Sequence, residues 1–321
     1  MVGAVLVHQD RIIGEGYHEQ YGGPHAEVNC IGQVAEADRH LIKRSRLYVA
    51  LEPCAHHGKT PPCADLVIAH QIPEVVIACR DSFEQVNGHG IEKLRKAGIQ
   101  VTEGVLQAEA LELNKRFFCF HQHKRPYVFL KWAQSSDGFI AKKGFEKVSI
   151  SNAYTNRYTH RARAHEAAIM VGTRTALHDN PSLTCRWWPG KNPLRIVIDK
   201  ELVLPPTAAI LNSEAPTLIL NLHKEAHIAN LHFHKIRQPL HLLPELMALL
   251  YEKNIVSLVV EGGTELLQSF INSGIWDEAT VITNEKLKIG VGVSSPLISP
   301  QKMESHFSLF GDLITSYKNH P

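Results

Sequence analysis

Three side chains able to hold a metal and one able to carry a proton stand in a fixed order in the first part of the chain: His25-Ala26-Glu27, then Pro53-Cys54, then Pro62-Cys63. One imidazole and two thiolates leave a fourth tetrahedral position open on Zn²⁺, which separates a catalytic site from a closed structural one. Water held there has its pKa lowered toward neutrality. Hydrolytic deamination also needs a group that carries the water's proton to the departing nitrogen. Glu27 fits that need, because two residues beyond His25 on a first helical turn it points in a different direction and need not ligate. The common deaminase signature has two residues between its cysteines, whereas eight, Ala55 to Pro62, stand here and call for a wider loop. That loop, His56-His57-Gly58-Lys59-Thr60-Pro61-Pro62, is basic, as a phosphorylated substrate would favour. The alternative is a structural zinc site with His56 or His57 as fourth ligand, which would leave Glu27 without a purpose.

A second set of polar residues falls at the ends of predicted strands. Lys131-Trp132-Ala133 closes Val128-Phe129-Leu130 and leads to Ser135-Ser136-Asp137-Gly138, polar residues that could reach a ligand. Val171-Gly172-Thr173-Arg174-Thr175 leads to Asp179-Asn180-Pro181-Ser182-Leu183-Thr184-Cys185-Arg186, and Val260-Glu261-Gly262-Gly263-Thr264 precedes a helix. Glycines after a strand let the backbone approach a phosphate, and a helix N-terminus supplies free N–H groups, so a pyrophosphate could sit there. No GxGxxG is present, so an ordinary dinucleotide-binding Rossmann domain is not indicated. A tight turn is the alternative reading of Glu261-Gly262-Gly263.

The elements that must position these residues alternate. Val2 to Val7 and Ile12 to Tyr17 read as a hairpin about His8-Gln9-Asp10. A helix from His25, a strand at Arg46 to Leu51, a helix near Ala64 to Ala69, a strand at Val75 to Cys79, a helix at Ile91 to Ala97 and a strand at Gln100 to Val105 follow. This is an α/β layered domain. Ala108 to Phe120 reads as its last helix, and His121 to Arg125 before Pro126 as the linker, so that residues 1–122 form one domain and 123–321 a second. The second has strands at Tyr127 to Trp132, Ala168 to Val171, Arg195 to Ile198, Thr217 to Leu220 and Ser257 to Val260, with helices including Leu246 to Tyr251 and Leu266 to Ile271.

A chain of 321 residues exceeds what one hydrophobic core serves, which agrees with two domains. Its 34 basic and 32 acidic residues are interspersed, so no electrostatic footprint for nucleic acid emerges and a small-molecule substrate fits better. No apolar stretch is long enough for a membrane helix and no signal peptide opens the chain, which reads as cytoplasmic. Six scattered cysteines suit metal ligands or buried thiols rather than a disulfide framework. His223, His227, His232, His234 and His241 read as surface or packing residues.

The run His25-Ala26-Glu27 followed by Leu51-Glu52-Pro53-Cys54-Ala55-His56-His57-Gly58-Lys59-Thr60-Pro61-Pro62-Cys63 resembles the bifunctional riboflavin biosynthesis deaminase/reductase family. Its wide cysteine spacing sets it apart from cytidine and tRNA-adenosine deaminases. The segments of the second domain, in their order, resemble the reductase half of that family. The resemblance implies a cytidine-deaminase-like fold followed by a dihydrofolate-reductase-like fold, with Zn²⁺ and NADPH as cofactors. It implies deamination of 2,5-diamino-6-ribosylamino-4(3H)-pyrimidinone 5′-phosphate, then reduction of the ribosyl group of 5-amino-6-(5-phosphoribosylamino)uracil to ribityl. By motif position, His25, Cys54 and Cys63 hold zinc, Glu27 shuttles the proton, and His56, Lys59 and Asp81 contact the first substrate. The family's Asp-Pro-Asn stands here as Asp81-Ser82-Phe83, so its asparagine contact does not carry over. Ala133, Thr175, Asp179, Gly263, Thr264, Glu265, Leu266 and Leu267 line the NADPH site, while Ser151, Arg163, Leu183, Arg186 and Glu261 face the second substrate and Lys131 assists at the ribose. Arg163 and Arg186 suit its phosphate. Around Lys147-Val148-Ser149 the family often has a tryptophan beside the nicotinamide, and none stands here.

The family also has a helix and a Pro-Asn-Pro segment directly before Val-Gly, where this sequence begins Met1-Val2-Gly3. Val2 to Val7 is apolar on both faces and asks for cover on each. The expectation is an authentic chain extending about 25 residues upstream, enough for a helix of three to four turns and its loop. A bare face would invite association, and a homo-oligomer is compatible with the reading. Two rival readings remain: a nucleic-acid or nucleoside deaminase, which would need a basic strand-binding surface in the first case, and a non-catalytic zinc-binding scaffold, which would lose Glu27 or the second site.

Overall fold

The computed structural model describes residues 2–20, 22–56, 61–82, 87–145 and 148–319. The chain separates into two compact units, Met1–His123 and Lys124–Pro321.

In the first unit β1 (Gly3–His8) and β2 (Arg11–Tyr17) form the expected hairpin, with Gln9 in the left-handed region at its turn. There follow α1 (Ala26–Gly32), β3 (Arg46–Val49), α2 (Cys63–Ala69), β4 (Glu74–Ile77), α3 (His89–Lys96) and β5 (Gln100–Glu103). Among the described residues the sheet has five strands in the order β2-β1-β3-β4-β5, antiparallel at β1 and parallel from β3 to β5. The period-two pattern explains the packing: Ala4 and Leu6 of β1, Leu47 and Val49 of β3, and Val75 and Ile77 of β4 join Cys30, Val67 and Leu94 in one buried cluster. The alternate residues point the other way. Val5, Tyr48, Val76, Leu106 and Leu113 border an open groove of about 1200 Å³ on the opposite face.

The single helix expected over Ala108 to Phe120 is two, α4 (Gln107–Leu113) and α5 (Lys115–His123). Asn114 ends the first at φ −110° and is buried. The break lets the apolar side turn: Leu111 and Leu113 are exposed, whereas Phe118, Cys119 and Phe120 are buried. The polar run read as a linker from His121 is therefore helical as far as His123.

The second unit comprises β6 (Tyr127–Ser135), β7 (Phe139–Lys142), α6 (Ala153–His165), β8 (Ala168–Val171), α7 (Thr173–Asp179), β9 (Leu194–Ile198), β10 (Thr217–Asn221), β11 (Ala226–Ile228), β12 (Leu231–Lys235), α8 (Leu242–Glu252), β13 (Ser257–Val260), α9 (Thr264–Ser273), β14 (Glu278–Asn284), β15 (Gly292–Ser294), β16 (Met303–Leu309) and β17 (Asp312–Lys318). Among the described residues ten strands run in the order β11-β12-β10-β9-β8-β13-β6-β14-β17-β16, and β7 pairs with β15. The centre, from β12 to β14, is parallel, and β6, β8, β10 and β13 within it read as apolar runs because both faces are covered. Val128, Leu130, Met170, Leu258 and Val260 pack on one side, and Phe129, Ile169, Val171, Val197 and Val259 on the other. β13 lies between β8 and β6, so the C-terminal ends of three strands distant in sequence are neighbours.

Candidate active sites

α1 carries His25 as its N-cap and Glu27 in its first turn. Its approach to the sheet is set by two glycines of β2: a Cβ at Gly16 would stand 2.3 Å from the Cys30 nitrogen, and one at Gly14 2.5 Å from the Cys30 oxygen. α2 begins at Cys63. Cys54 follows the Glu52-Pro53 segment after β3, and its Sγ accepts the Cys63 backbone N–H at 3.3 Å. The two helix starts bring His25 Nδ1 to 3.5 Å from Cys54 Sγ and 3.3 Å from Cys63 Sγ, with all three donor atoms within 4.8 Å of one another. Bonds of about 2.0–2.3 Å to zinc give tetrahedral edges of roughly 3.6 Å, so the donor set fits the ion.

The electrostatics agree with that fit. Cys54 is pulled down to about 4, first by its hydrogen bond with Cys63 and then by His25. Cys63 is pushed up, again chiefly by Cys54. Glu27 is 3% exposed and its carboxyl is raised by burial, with the Cys54 charge adding to it. Burial thus favours the protonated form of this carboxyl more than water would.

Two residues that sequence reading passed over complete this site. His18 sets its ring edge-on to His25 at 5.4 Å between centroids, and its Nδ1 bonds the Pro24 carbonyl at 2.9 Å. Glu52, buried, accepts four backbone N–H groups: Asp81 and Gly88 on Oε2, Gly90 and Ile91 on Oε1. It therefore holds the backbone at Asp81, itself buried. The Leu51-Glu52-Pro53-Cys54 run contained Glu52, but nothing local showed what it would hold. His56 is half-buried near the cluster's loop. Lys59, His57 and Phe83 lie outside the described residues.

In the second unit a cavity of about 960 Å³ opens where β6, β8 and β13 end. Lys131, Ala133, Ser151, Arg163, Thr175, Asp179, Leu183, Arg186, Glu261, Gly263, Thr264, Glu265 and Leu267 all line it. Leu266 does not; it faces the α8 side with Leu242 and Leu243. Its neighbours at i−1 and i+1 on α9 project in other directions, as helical geometry requires. The glycine pair has a steric reason: a Cβ on Gly262 would stand 2.8 Å from Val171 Cβ, and Gly263 adopts φ +71°. Gly263 is the N-cap of α9, so free N–H groups face a cavity large enough for a dinucleotide. That cradle fits a pyrophosphate.

Inside the cavity Glu261 accepts Arg163 Nε at 2.8 Å and Nη2 at 2.7 Å, and Lys131 Nζ lies 4.0 Å away. Arg163 thus has its fork engaged by a carboxylate, while Arg186 is exposed and bonds Ser182 Oγ. Burial pushes Lys131 down, against the pull of Glu261, and Glu261 is held at about 2 despite its burial because Arg163 and Lys131 face it. Leu183 adopts φ +53° while buried; a left-handed non-glycine residue costs about 1–2 kcal/mol and tends to mark a functional loop. The Ser135 to Gly138 run does not reach this cavity. Asp137, lowered to about 2 chiefly by the Ser135 hydroxyl, also accepts the Ile289 and Gly290 N–H groups and so ties down a neighbouring loop. His160 and Trp187 also line the cavity and had no signal in the sequence.

Residues 126–308 match the RibD C-terminal domain family, and residues 1–79 match the cytidine and deoxycytidylate deaminase zinc-binding region. The riboflavin biosynthesis protein RibD of Aquifex aeolicus is 42% identical over 299 residues, 91% of this chain and 82% of that protein. The protein of the same name from Escherichia coli is 35% identical over 303 residues, 89% of this chain and 82% of its own. Among solved structures, the diaminohydroxyphosphoribosylaminopyrimidine deaminase/5-amino-6-(5-phosphoribosylamino)uracil reductase of Thermotoga maritima aligns with a TM-score of 0.89 at 33% identity, covering 99% of this chain and 91% of that one.

Proposed function

Because the chain belongs to the RibD family of riboflavin biosynthesis proteins, we propose that it first deaminates 2,5-diamino-6-ribosylamino-4(3H)-pyrimidinone 5′-phosphate and then reduces the ribosyl group of 5-amino-6-(5-phosphoribosylamino)uracil with NADPH. The observation that carries the first half is the convergence of His25, Cys54 and Cys63 beside the buried carboxyl of Glu27.

His25, Cys54 and Cys63 would hold Zn²⁺, which when bound would supply a water acidic enough to attack at neutral pH. Glu27 takes up a proton from the attacking water and returns it to the departing amino nitrogen, which leaves as ammonia. Its burial serves this role by raising the carboxyl's affinity for the proton it carries. His56, Lys59 and Asp81, the last with its backbone N–H held by Glu52, are assigned to the pyrimidine and its ribose phosphate from their motif positions.

In the second unit NADPH supplies the hydride. Thr175, Asp179 and the Gly263 to Leu267 segment cradle it, with Ala133 at the strand end; Leu266 supports that segment from the α8 side. Reduction to ribityl would add a hydride at the ribosyl C1′ and break its bond to the ring oxygen, which would then need a proton. Lys131, whose ammonium is made more acidic by burial, gives that proton from Nζ. Glu261 and Arg163 balance the charge around it, and Ser151, Leu183 and Arg186 face the substrate, Arg186 toward its phosphate.

Cys54→Ser tests the division of labour. Zinc content and deamination should both fall to background, while reduction of supplied deaminated intermediate stays within about twofold of the parent. Loss of both activities in a folded protein would mean one composite site and reject the two-site reading.

A further inference from the structure

His160 lies one turn before Arg163 on α6 and lines the same cavity. It is 4% exposed. Its Nδ1 accepts the backbone N–H of Arg186 at 3.0 Å. A ring nitrogen that accepts carries no proton, so in the neutral imidazole the proton sits on Nε2. The ring also leans on Trp187, at 4.9 Å between centroids and 41° between planes. One side chain therefore pins two consecutive residues of the loop to α6: Arg186 by its backbone, Trp187 by its ring.

The surrounding charges explain why an uncharged acceptor stands here. Lys131, Arg163 and Arg186 all act on His160, with Glu261 the opposing charge, and together with burial, the largest cause, they hold its pKa down to about 4. A cation at this position would repel the same arginine it has to hold. Arg186 needs such holding. Its guanidinium is exposed on a loop beside the left-handed Leu183, and a long side chain on a loose backbone loses much of its binding energy to entropy.

We propose that His160 is a positioning residue of the reductase site, fixing the backbone at Arg186 through Nδ1 so that the guanidinium meets the substrate's phosphate. The inference rests on the reductase reading above.

His160→Leu and His160→Asn in the full chain test it, with the unaltered protein alongside. NADPH oxidation is followed with 5-amino-6-(5-phosphoribosylamino)uracil, and NADPH affinity is measured separately by fluorescence titration. Leucine fills the space without an acceptor and should raise the KM for the uracil substrate by up to roughly tenfold, the worth of one hydrogen bond. NADPH affinity should stay within about twofold. Asparagine places Oδ1 where Nδ1 stood and should recover most of the loss. An unchanged KM in the leucine variant overturns the proposal, as does failure of asparagine to recover it. A parallel loss of NADPH binding also overturns it, since that would make His160 a packing residue. If the unaltered protein does not oxidise NADPH with this substrate, the reductase reading fails and the inference with it. The comparison between variant and parent separates the two failures.

Discussion

Glu261→Gln isolates the charge balance in the reductase cavity. Glu261 holds Arg163 by two hydrogen bonds of 2.8 and 2.7 Å, with Lys131 at 4.0 Å, and the side chains are 7% accessible for the carboxylate and 13% for each cation. Glutamine keeps the shape and one acceptor but leaves two buried cations facing one another. Breaking a buried pair by removing one partner costs roughly 3–5 kcal/mol, and the remaining carbonyl acceptor puts this case near 3. For a unit of this size each kcal/mol lowers the melting temperature by about 2–4 °C, so a fall of roughly 6–12 °C is expected. Differential scanning calorimetry should resolve it as a shift of the second unit's transition, the first unit's remaining in place. Glu261→Gln with Arg163→Met removes the stranded guanidinium as well and should recover about half of the loss. A shift below about 2 °C, or a double variant no better than the single one, would refute the view that these charges hold one another in place.

Glu27→Gln should abolish deamination while zinc stays stoichiometric, because the carboxyl moves a proton and does not ligate; metal analysis showing lost zinc would reject that role. Gly90→Ala would bring a Cβ to 1.9 Å from the Pro53 oxygen, so the Pro53-Cys54 segment must move; zinc occupancy and deamination should drop together with reduction unaffected, and full occupancy would contradict the packing. The second unit should lose stability on acidification in two windows. His160 is lowered from 6.5 to about 4, so the unfolded chain takes up a proton first and stability falls between those values as pH drops. Glu261, lowered from 4.5 to about 2, contributes stability that is present above 4.5 and is lost as pH falls through about 2. His160→Asn should flatten the upper window in melting curves taken from pH 7 to 4; an unaltered slope would assign it to another group.

The convergence of His25, Cys54 and Cys63 near Glu27 could be anticipated from the chain because ligand chemistry is a matter of residue type and order: a His-x-Glu at a helix start and two Pro-Cys steps leave few alternatives. The Gly262-Gly263 turn was legible for a similar reason, since its backbone needs no side chain at one position and a positive φ at the next. Apolar runs likewise marked β6, β8, β10 and β13, which are buried on both faces. β16, with most of its residues exposed, offered no such run, and β14 and β17 gave no signal that set them apart.

What tertiary structure alone decided is which polar side chains serve the sites and which serve the scaffold. Asp137 and Glu261 are both acids at strand ends, yet one ties a loop by backbone N–H groups and the other balances two cations in a cavity. Glu52, His18 and His160 act on partners 29 to 39, 6 to 7 and 26 residues away respectively. Arg163 is committed to an acid 98 positions later in the chain, whereas Arg186 is exposed. A residue type fixes what a group can donate or accept; its charge state and partner depend on burial and on neighbours that folding brings from elsewhere, and those have no local trace in the sequence.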